Sequence, residues 1–226
     1  MCKFQTNSLS MKRFIVFTFF LFSVFCLSAQ DIPAKGKYPV HEHETYIVSY
    51  NVQMQNPDFV IWRLTDKEAA ASEASKIKRP KTFTACDDTQ KNSSYTNTGY
   101  DRGHMCPCND RDWDLEHSKD TFRMCNICPQ THRLNAGIWQ TYEDAAHAYA
   151  QDLGWIDICC GPIFNENYEK VKGKNGYIIV PEMFFKIFYN KEHNILQCFI
   201  FTQENECRKS SVAEIEKLTG LSFTFY

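Results

Sequence analysis

The chain lacks a surplus of basic residues, internal repeats and low-complexity blocks. It carries 25 lysines and arginines against 27 acidic residues, a formal net charge of −2. A protein that holds nucleic acid by bulk electrostatic attraction needs a basic excess, so such binding modules are disfavoured. An active-site cleft can still be locally positive in an acidic protein. The absences leave an ordinary globular chain.

An apolar run long enough to cross a bilayer comfortably is also lacking, since Phe14 to Leu27 is shorter than the about 20 residues that a span needs. Lys12 and Arg13 precede this run and Leu27-Ser28-Ala29 follows it, which is the layout of a secretory signal peptide with a small-residue cleavage site. We therefore expect residues 1–29 to be removed and the protein to be secreted or periplasmic, without stable membrane insertion. A retained membrane anchor is the less favoured interpretation.

Cysteines are plentiful and remain so after cleavage. Removal of residues 1–29 takes away Cys2 and Cys26, so that eleven cysteines become nine, and the basic count falls from 25 to 22 against 27 acids, a charge of about −5. Export exposes thiols to oxidising conditions, so some of them should pair. Because nine is odd, at least one cysteine stays free or pairs outside the chain. The spacing gives no connectivity.

The first half of the chain predicts strands, a short helix and a long loop. Residues 30–45 are polar and predict a flexible lead-in, followed by a single domain over residues 46–226. The segments TYIVSYNVQ and DFVIWRLT are strand candidates separated by the turn-like QNPD, which predicts a hairpin. TDKEAAASEAS predicts a helix capped by Thr65 or Asp66. Residues 76–99 predict a long loop, and such loops are usually functional or mobile.

The second half alternates helices with aromatic-rich strands. LNAGIWQTYEDAAHAYAQDLG predicts the longest helix, ending at Gly154, and KSSVAEIEKLTG predicts a final helix that ends at Gly220. Between them lie four strand candidates, WIDICCGPIF, GYIIVP, MFFKIFYN and ILQCFIFTQ. This order of elements is typical of an α+β domain.

The stretch YDRGHMCPCND contains the first candidate for catalysis, His104. Histidine is the side chain best suited to take a proton from water near neutral pH. Asn126, Asn135 and Glu143 follow His104 in order, with spacings of nine and eight residues between successive members of this trio. Amide and carboxylate oxygens are hard ligands of the kind that Mg²⁺ accepts while it keeps several waters.

The order of these residues resembles the signature of a known family. Asp101-Arg102-Gly103-His104, then Asn126 with Pro129-Gln130, then Leu134-Asn135 with Trp139 and Glu143, are similar to the motif of the DNA/RNA non-specific endonucleases. SYNVQ, GPIF and VPEMFFKIFYN extend the resemblance over most of the mature chain. It implies a ββα-metal nuclease fold, with a central mixed or antiparallel sheet, flanking helices and long loops.

The resemblance also implies a role for each matching residue. His104 would be the general base that activates water. Asn135 would be the protein's direct ligand to one Mg²⁺, with Mn²⁺ or another divalent cation as the alternative. Arg102 would hold the scissile phosphate, and Asn126 would orient groups around His104.

Two further assignments depend on local geometry. Arg79, in KRPKTF, lies where the family carries another arginine that stabilises the transition state. Glu143 would hold waters of the metal ion's hydration shell. If Asn135 and Glu143 share one helix, eight residues separate them by about 12 Å, too far for one ion to take both as direct ligands. Glu143 then acts through water, unless Asn135 precedes the helix.

The cysteines near the motif allow a different interpretation. Cys106-x-Cys108 with Cys125-x-x-Cys128 could form a four-thiolate zinc site. We favour small core positions with one or two disulfides among them, because an exported protein tends to oxidise its thiols. The adjacent pair Cys159-Cys160 predicts buried packing in a strand.

Other residues near the motif receive structural interpretations. Asp101 is expected to fix a loop or an arginine, and Gly103 to permit a backbone turn between Arg102 and His104. The large aromatic residues favour core packing over base stacking. No site role is assigned to the remaining histidines, which are His41, His43, His117, His132, His147 and His193.

The resemblance therefore implies a secreted, Mg²⁺-dependent endonuclease that hydrolyses phosphodiester bonds in DNA and RNA with little sequence preference. A phosphodiesterase acting on smaller phosphoesters shares this mechanism and is one alternative. A non-catalytic binding protein that keeps the nuclease fold is the other. The sequence gives neither oligomeric state nor inhibitor partners.

Overall fold

An antiparallel sheet of seven strands forms the centre of the protein in the computed structural model, which describes residues 34–86 and 89–225. The strands are β1 Ala34–Lys35, β2 Val40–Glu42, β3 Ile47–Asn51, β4 Asn56–Thr65, β5 Asp101–His104, β6 Ile127–Gln130, β7 Trp155–Ile163, β8 Glu169–Gly173, β9 Gly176–Val180, β10 Met183–Asn190, β11 Ile195–Thr202, β12 Cys207–Ser210 and β13 Ser222–Phe223. The central order is β12-β11-β10-β7-β4-β3-β2. Three two-stranded pairs accompany it, β1 with β13, β5 with β6 and β8 with β9.

Helices and short 3-10 turns connect the strands. The α-helices are α1 Asp66–Glu73, α2 Leu115–Thr121, α3 His132–Asn135, α4 Ile138–Leu153 and α5 Val212–Thr219. The 3-10 turns span Asn92–Tyr95, Cys108–Asp110 and Met124–Asn126. The predicted α+β class with an antiparallel central sheet is confirmed, and all described residues fall in one compact unit. Within the described part of the chain, every helix is too short or too polar to cross a membrane.

Both faces of the central sheet are buried, which explains why the inner strands are nearly continuous runs of apolar residues. Phe184 and Phe188 of β10 join the core that contains Trp139 of α4. Phe185 and Ile187 join the opposite core. Successive side chains of a strand point to opposite faces. Lys186, between these two pairs, is therefore directed to the α4 side.

Several predicted boundaries are confirmed. The hairpin of β3 and β4 forms in antiparallel register. Thr65 caps α1, since its hydroxyl accepts from the Glu68 backbone N–H at 3.3 Å while Glu68 Oε2 accepts from the Thr65 backbone N–H at 2.9 Å. Gly154 and Gly220 end α4 and α5 in the left-handed region, with φ of 85° and 71°.

The prediction of one long helix from Leu134 to Gly154 is wrong. The helical path breaks after Asn135, and α4 begins at Ile138. Asn205 causes this new start, because its Oδ1 accepts from the Ile138 backbone N–H at 2.6 Å. Gly137 fits the break, since a Cβ there would lie 2.3 Å from the Arg133 carbonyl oxygen. The cap comes from a distant part of the chain, so local periodicity does not reveal it.

The flexible lead-in expected over residues 30–45 is instead structured in its described part. β1 pairs with β13, and β2 adds an edge strand to the central sheet beside β3. Backbone hydrogen bonds to an existing edge hold a segment that has few apolar side chains. The signal peptide predicted over residues 1–29 lies outside the described residues.

The long loop expected over residues 76–99 is confirmed in its described part, with the 3-10 turn Asn92–Tyr95 inside it. A disulfide between Cys86 and Cys125 ties this loop to the turn Met124–Asn126. Thr84 forms an isolated bridge with Arg123 nearby. The loop is therefore fixed near its middle to the segment that leads into β6.

Candidate active site

The DRGH motif forms the whole of β5, and it pairs antiparallel with β6. Asp101 lies opposite Gln130, and His104 lies opposite Ile127. α3 begins two residues after β6, and α4 follows it. Two strands and the helices after them thus collect the predicted residues in one region of the surface.

Gly103 is required by a close contact, and the turn expected there does not form. It lies inside β5 without a positive φ. A Cβ at this position would meet Gln130 Oε1 at 2.0 Å and Gln130 Cγ at 2.6 Å. Both polar atoms of the buried Gln130 amide lack a hydrogen-bond partner among the described residues. The glycine therefore makes room for the Gln130 side chain.

His104 presents a buried, unpartnered nitrogen. Its Nε2 is inaccessible to solvent and has no hydrogen-bond partner among the described residues. The ring packs against Phe83 and Phe122 at centroid distances of 5.6 and 4.7 Å. Burial, and to a smaller extent the positive charge of Arg79, lowers the pKa of His104 to about 4. The imidazole is consequently neutral at pH 7 and has a lone pair to accept a proton.

Asn126 holds the backbone that follows His104. Its Nδ2 donates to the Cys106 carbonyl at 2.8 Å and to the Thr121 carbonyl at 2.9 Å. Its Oδ1 accepts from the Cys106 backbone N–H at 2.9 Å. The side chain is fully buried. This agrees with the orienting role that the resemblance implies.

Asp101 orients Asn135. Asp101 Oδ2 accepts from Asn135 Nδ2 at 3.1 Å and contacts His132 Nδ1 at 2.8 Å. Asp101 thus has a structural role, but its partners are side chains of α3 and not the loop or arginine that was expected. Because the amide nitrogen of Asn135 is engaged, its carbonyl oxygen is the atom available to a metal ion.

Asn135 lies in α3 and Glu143 in α4, so the distance calculated for a single helix does not apply. Burial raises the pKa of the Glu143 carboxyl to about 7. The charges of Lys186 and Arg79 oppose this rise, while Asp110 and Asp144 add to it. Glu143 is therefore a desolvated carboxyl whose charge at neutral pH depends on its neighbours.

Lys186 is a site-forming residue that the sequence interpretation missed. It is only 1% exposed, and its Nζ lies 3.9 Å from the centroid of the Trp139 ring. Among the charges around Glu143, Lys186 acts most strongly on its pKa. The lysine within the apolar segment MFFKIFYN was the signal that could have indicated this residue, because lysines are almost never buried without a partner.

The two arginines face different surroundings. The charge of Arg79 acts on both His104 and Glu143, and its guanidinium donates to Asn109 Oδ1. Arg102 instead turns toward the loop, where it donates to the Asn92 side chain and, at 2.8 Å, to the Asn92 carbonyl. Its guanidinium also lies near the rings of Phe83 and Tyr95. The charge of Arg79 therefore acts on the base and on the Glu143 carboxyl, while Arg102 is engaged by the loop.

The sequence interpretation also missed a buried pair, Asp110 and His147. The charge of Asp110 helps to raise the pKa of Glu143. Asp110 Oδ1 contacts His147 Nε2 at 2.9 Å, and Asp110 Oδ2 accepts from Trp62 Nε1 at 2.7 Å. Burial alone would lower the pKa of His147, but the bond to Asp110 and nearby carboxylates raise it above its ordinary value. A pocket of about 350 Å³ adjoins the pair and is lined by Ser72, Glu73, Asn109, Asp112, Asp144 and His147.

The four-thiolate zinc site is not assembled. Cys125 is bonded to Cys86, whereas Cys106, Cys108 and Cys128 are buried free thiols. Burial raises the pKa of each of these three thiols, which disfavours the thiolate that zinc requires. Cys106, Cys108 and Cys128 fill core positions, as expected, but the expectation of a disulfide within this group of four is wrong, because Cys125 pairs with Cys86 outside it.

The donors near His104 suit a hard divalent cation. The Asn135 carbonyl oxygen and the carboxylates of Asp101 and Glu143 are oxygen donors of the type that Mg²⁺ and Mn²⁺ prefer. A cation would also lower the cost of ionising the buried Glu143. A neutral base, arginine charge and hard oxygen donors together can support hydrolysis of a phosphoester.

Comparison with known proteins agrees with this geometry. The chain is 31% identical over 170 residues to a mitochondrial nuclease of Saccharomyces cerevisiae, covering 66% of this chain and half of that protein. It is 32% identical over 196 residues to a nuclease of Nostoc sp., covering 79% of this chain and 70% of that protein. A chain in the crystal structure of the EndoG/EndoGI complex superposes with a TM-score of 0.68 at 22% identity, covering 83% of this chain and 86% of that one. The last comparison confirms the predicted ββα-metal nuclease fold.

The family model of the DNA/RNA non-specific endonucleases matches residues 27–225. This range includes the β5–β6 hairpin and both helices that follow it. The chain therefore belongs to the DNA/RNA non-specific endonuclease family.

Proposed function

We propose that the protein hydrolyses phosphodiester bonds in DNA and RNA, with little sequence preference and with Mg²⁺ as its cofactor. The observation that carries this proposal is the buried, unpartnered Nε2 of His104, together with the charge of Arg79, which acts on both His104 and Glu143. A nitrogen desolvated in this way is costly unless a substrate or water completes its hydrogen bonding. Family membership supports the same chemistry.

His104 acts as the general base. Its neutral ring accepts the proton of the attacking water, and the Trp139 Nε1–H donates to the His104 carbonyl at 3.2 Å to fix the strand that carries it. A base with a pKa near 4 is weak, but the negative charge of a bound phosphate raises its proton affinity toward the working pH. Substrate binding thus raises the pKa of His104 and makes it a more effective base.

Asn135 would hold the cation through its carbonyl oxygen, with Asp101 orienting it and Glu143 supporting the ion through water. When bound, the cation would supply positive charge to the phosphate. Arg79 adds positive charge from the loop side. Arg102 serves the phosphate if substrate binding releases its guanidinium from Asn92; otherwise it fixes the loop.

The first test is cleavage of plasmid, single-stranded DNA and RNA by the purified protein in Mg²⁺. We expect all three to be cut, and His104→Ala to lower turnover by about 10²- to 10⁴-fold with normal folding. Absence of cleavage of all three substrates across a range of divalent metals would refute the proposal.

Asn135→Ala separates metal binding from base catalysis. We expect weaker Mg²⁺ affinity, with activity partly restored at raised Mg²⁺, because Asn135 provides the direct ligand. Isothermal titration calorimetry with Mg²⁺ measures this difference. Equal Mg²⁺ affinity of Asn135→Ala, His104→Ala and the parent would contradict the division of roles.

Two further properties follow from the same proposal. Small phosphodiesters should compete poorly with nucleic acid; efficient competition would favour a phosphodiesterase of small substrates. We also propose export with cleavage near residue 29, and N-terminal sequencing of protein recovered outside the cytoplasm measures it. A protein that stays inside the cell with residues 1–29 attached would contradict export.

A further inference from the structure

A second cluster of ligand-type side chains lies outside the proposed active site. The side-chain ligand atoms of His43, Cys86 and Cys125 lie within 4.8 Å of one another, the one grouping of this kind found among the described residues. His43 Nε2 is 3.5 Å from Cys125 Sγ. The two cysteines form the disulfide between the loop and the turn Met124–Asn126. The His43 imidazole therefore lies beside the Cys86–Cys125 disulfide.

The His43 ring is oriented as a ligand would be. Its backbone N–H donates to the Tyr46 carbonyl at 2.9 Å, and its ring packs on the Tyr46 ring at 4.8 Å. Its Nδ1 lies 3.9 Å from the buried carboxylate of Asp120, which Thr45 and Arg123 hold in place. The Asp120 carboxylate thus lies on the Nδ1 side of the ring, at a distance too long for a hydrogen bond, while Nε2 is the nitrogen on the side of the sulfurs.

The ring also has the charge state that a ligand needs. Burial lowers the pKa of His43 by more than the nearby Asp120 carboxylate raises it. The imidazole is thus neutral at pH 7, and the contact with Asp120 is not an ion pair at that pH. Its side chain is 19% exposed, which leaves solvent a path to the cluster.

We propose that, once the Cys86–Cys125 disulfide is reduced, Cys86, Cys125 and His43 bind a thiophilic metal ion such as Zn²⁺. Two thiolates and one imidazole are a donor set that Zn²⁺ binds, with water in the fourth position. Reduction by a phosphine breaks the S–S bond, and water supplies oxygen to the phosphine oxide and two protons to the thiols. Each thiol then releases its proton to solvent as its sulfur binds the ion.

The backbone keeps the two sulfurs together after reduction. The Thr84 backbone N–H donates to the Phe122 carbonyl at 3.0 Å, and the Met124 backbone N–H donates to the Thr84 carbonyl at 2.8 Å. These bonds lie beside Cys86 and Cys125 and do not depend on the disulfide. The bound ion would therefore replace one link between the loop and the turn with another.

Co²⁺ titration of the reduced protein tests the proposal without relying on activity. Cobalt bound by thiolates shows sulfur-to-metal charge-transfer absorption, whereas cobalt on the oxygen donors near His104 does not. We expect this absorption at one equivalent of Co²⁺ in phosphine-reduced protein, its absence in oxidised protein, and its loss on addition of Zn²⁺. Elemental analysis after gel filtration should then find one zinc per chain.

Three variants assign the ligands. Cys86→Ser should abolish the charge-transfer band, and His43→Ala should weaken Zn²⁺ binding by more than the roughly 10- to 100-fold that loss of an outer partner costs. Cys207→Ser removes another free, half-buried thiol and should leave the titration unchanged. If Cys86→Ser fails to fold, His43→Ala carries the same test.

Several outcomes would overturn the proposal. One is an unchanged band in Cys86→Ser, which would place the metal on other thiols. Another is parental Zn²⁺ affinity in His43→Ala. A third is a reduced protein whose far-ultraviolet circular dichroism shows unfolding even with Zn²⁺ present, since no preformed site would then exist.

Discussion

Replacing Lys186 with methionine should change the pH dependence of catalysis while leaving the fold intact. Lys186 is 1% exposed, lies against Trp139, and is the charge that most strongly opposes the rise in the pKa of Glu143. Methionine has a similar length and no charge, so it keeps the packing and removes only the electrostatic contribution. The proposed function requires Glu143 to be ionised.

The magnitude follows from the pKa of Glu143, which is about 7, so that about half of the carboxyl is ionised at pH 7. A close opposite charge lowers the pKa of a carboxyl by about 1 to 3, and its loss should raise the pKa by a similar amount. A rise of about 1 leaves about a tenth of Glu143 ionised at pH 7, and a rise of about 2 leaves about a hundredth. We therefore expect activity at pH 7 to fall by about five- to fifty-fold and to recover as the pH is raised.

The assay is kcat/KM for DNA cleavage as a function of pH at one Mg²⁺ concentration well below saturation, with thermal unfolding of the same samples. Thermal stability at pH 7 should be lower than that of the parent, because removing one partner of a buried charge pair leaves the other uncompensated, and uptake of a proton by Glu143 limits the loss. Lys209→Met, on exposed strand β12, is the matched control and should leave the profile unchanged. A Lys186→Met enzyme with the parental pH profile would refute the electrostatic link to Glu143.

Three other predictions concern the base, the hairpin and the thiols. In the metal-free protein, NMR titration should give His104 a pKa of about 4, and a pKa near 6.5 would contradict the burial of the ring. Because the folded state binds this proton less readily than the unfolded state, the parent should lose about 3 kcal/mol of unfolding free energy relative to His104→Gln as the pH falls from 6.5 to 4. Gly103→Ala should lower the unfolding free energy by about 1 to 3 kcal/mol through the clash with Gln130. Chemical denaturation should show that the Gly103→Ala, Gln130→Ala double variant recovers stability, whereas equal losses in the single and the double variant would place the strain elsewhere. Oxidised protein stripped with a chelator should regain full activity with Mg²⁺ alone, and stoichiometric zinc in that oxidised protein would show that the thiols near DRGH hold metal.

The elements that depend on local sequence were predictable. Thr65 with Glu68 encodes the start of α1, and Gly154 and Gly220 encode two helix ends, because a cap is satisfied within a few residues. The hairpin β3–β4 follows from two apolar runs around one turn. The order of His104, Asn126, Asn135 and Glu143 along the chain is likewise enough to indicate the family.

Contacts between distant segments were decided only by the tertiary structure. The break before α4 depends on Asn205, 67 residues beyond Ile138, and no local pattern contains that contact. The strands β1 and β2 form because edges of other strands are available to them, although their own residues look like a polar lead-in. Long-range hydrogen bonds of this kind override local propensity.

The sequence by itself determined the candidate base, the hard-oxygen ligands and the class of fold, since each rests on the chemistry of a residue type or on local periodicity. Only the tertiary structure decided their charge states. Burial lowers the pKa of His104 and raises that of Glu143, and the charge of Lys186 from β10 limits the rise in the pKa of Glu143. Desolvation and Coulomb interactions depend on distances through space, which residues separated along the chain acquire only when the sheet and α4 pack together.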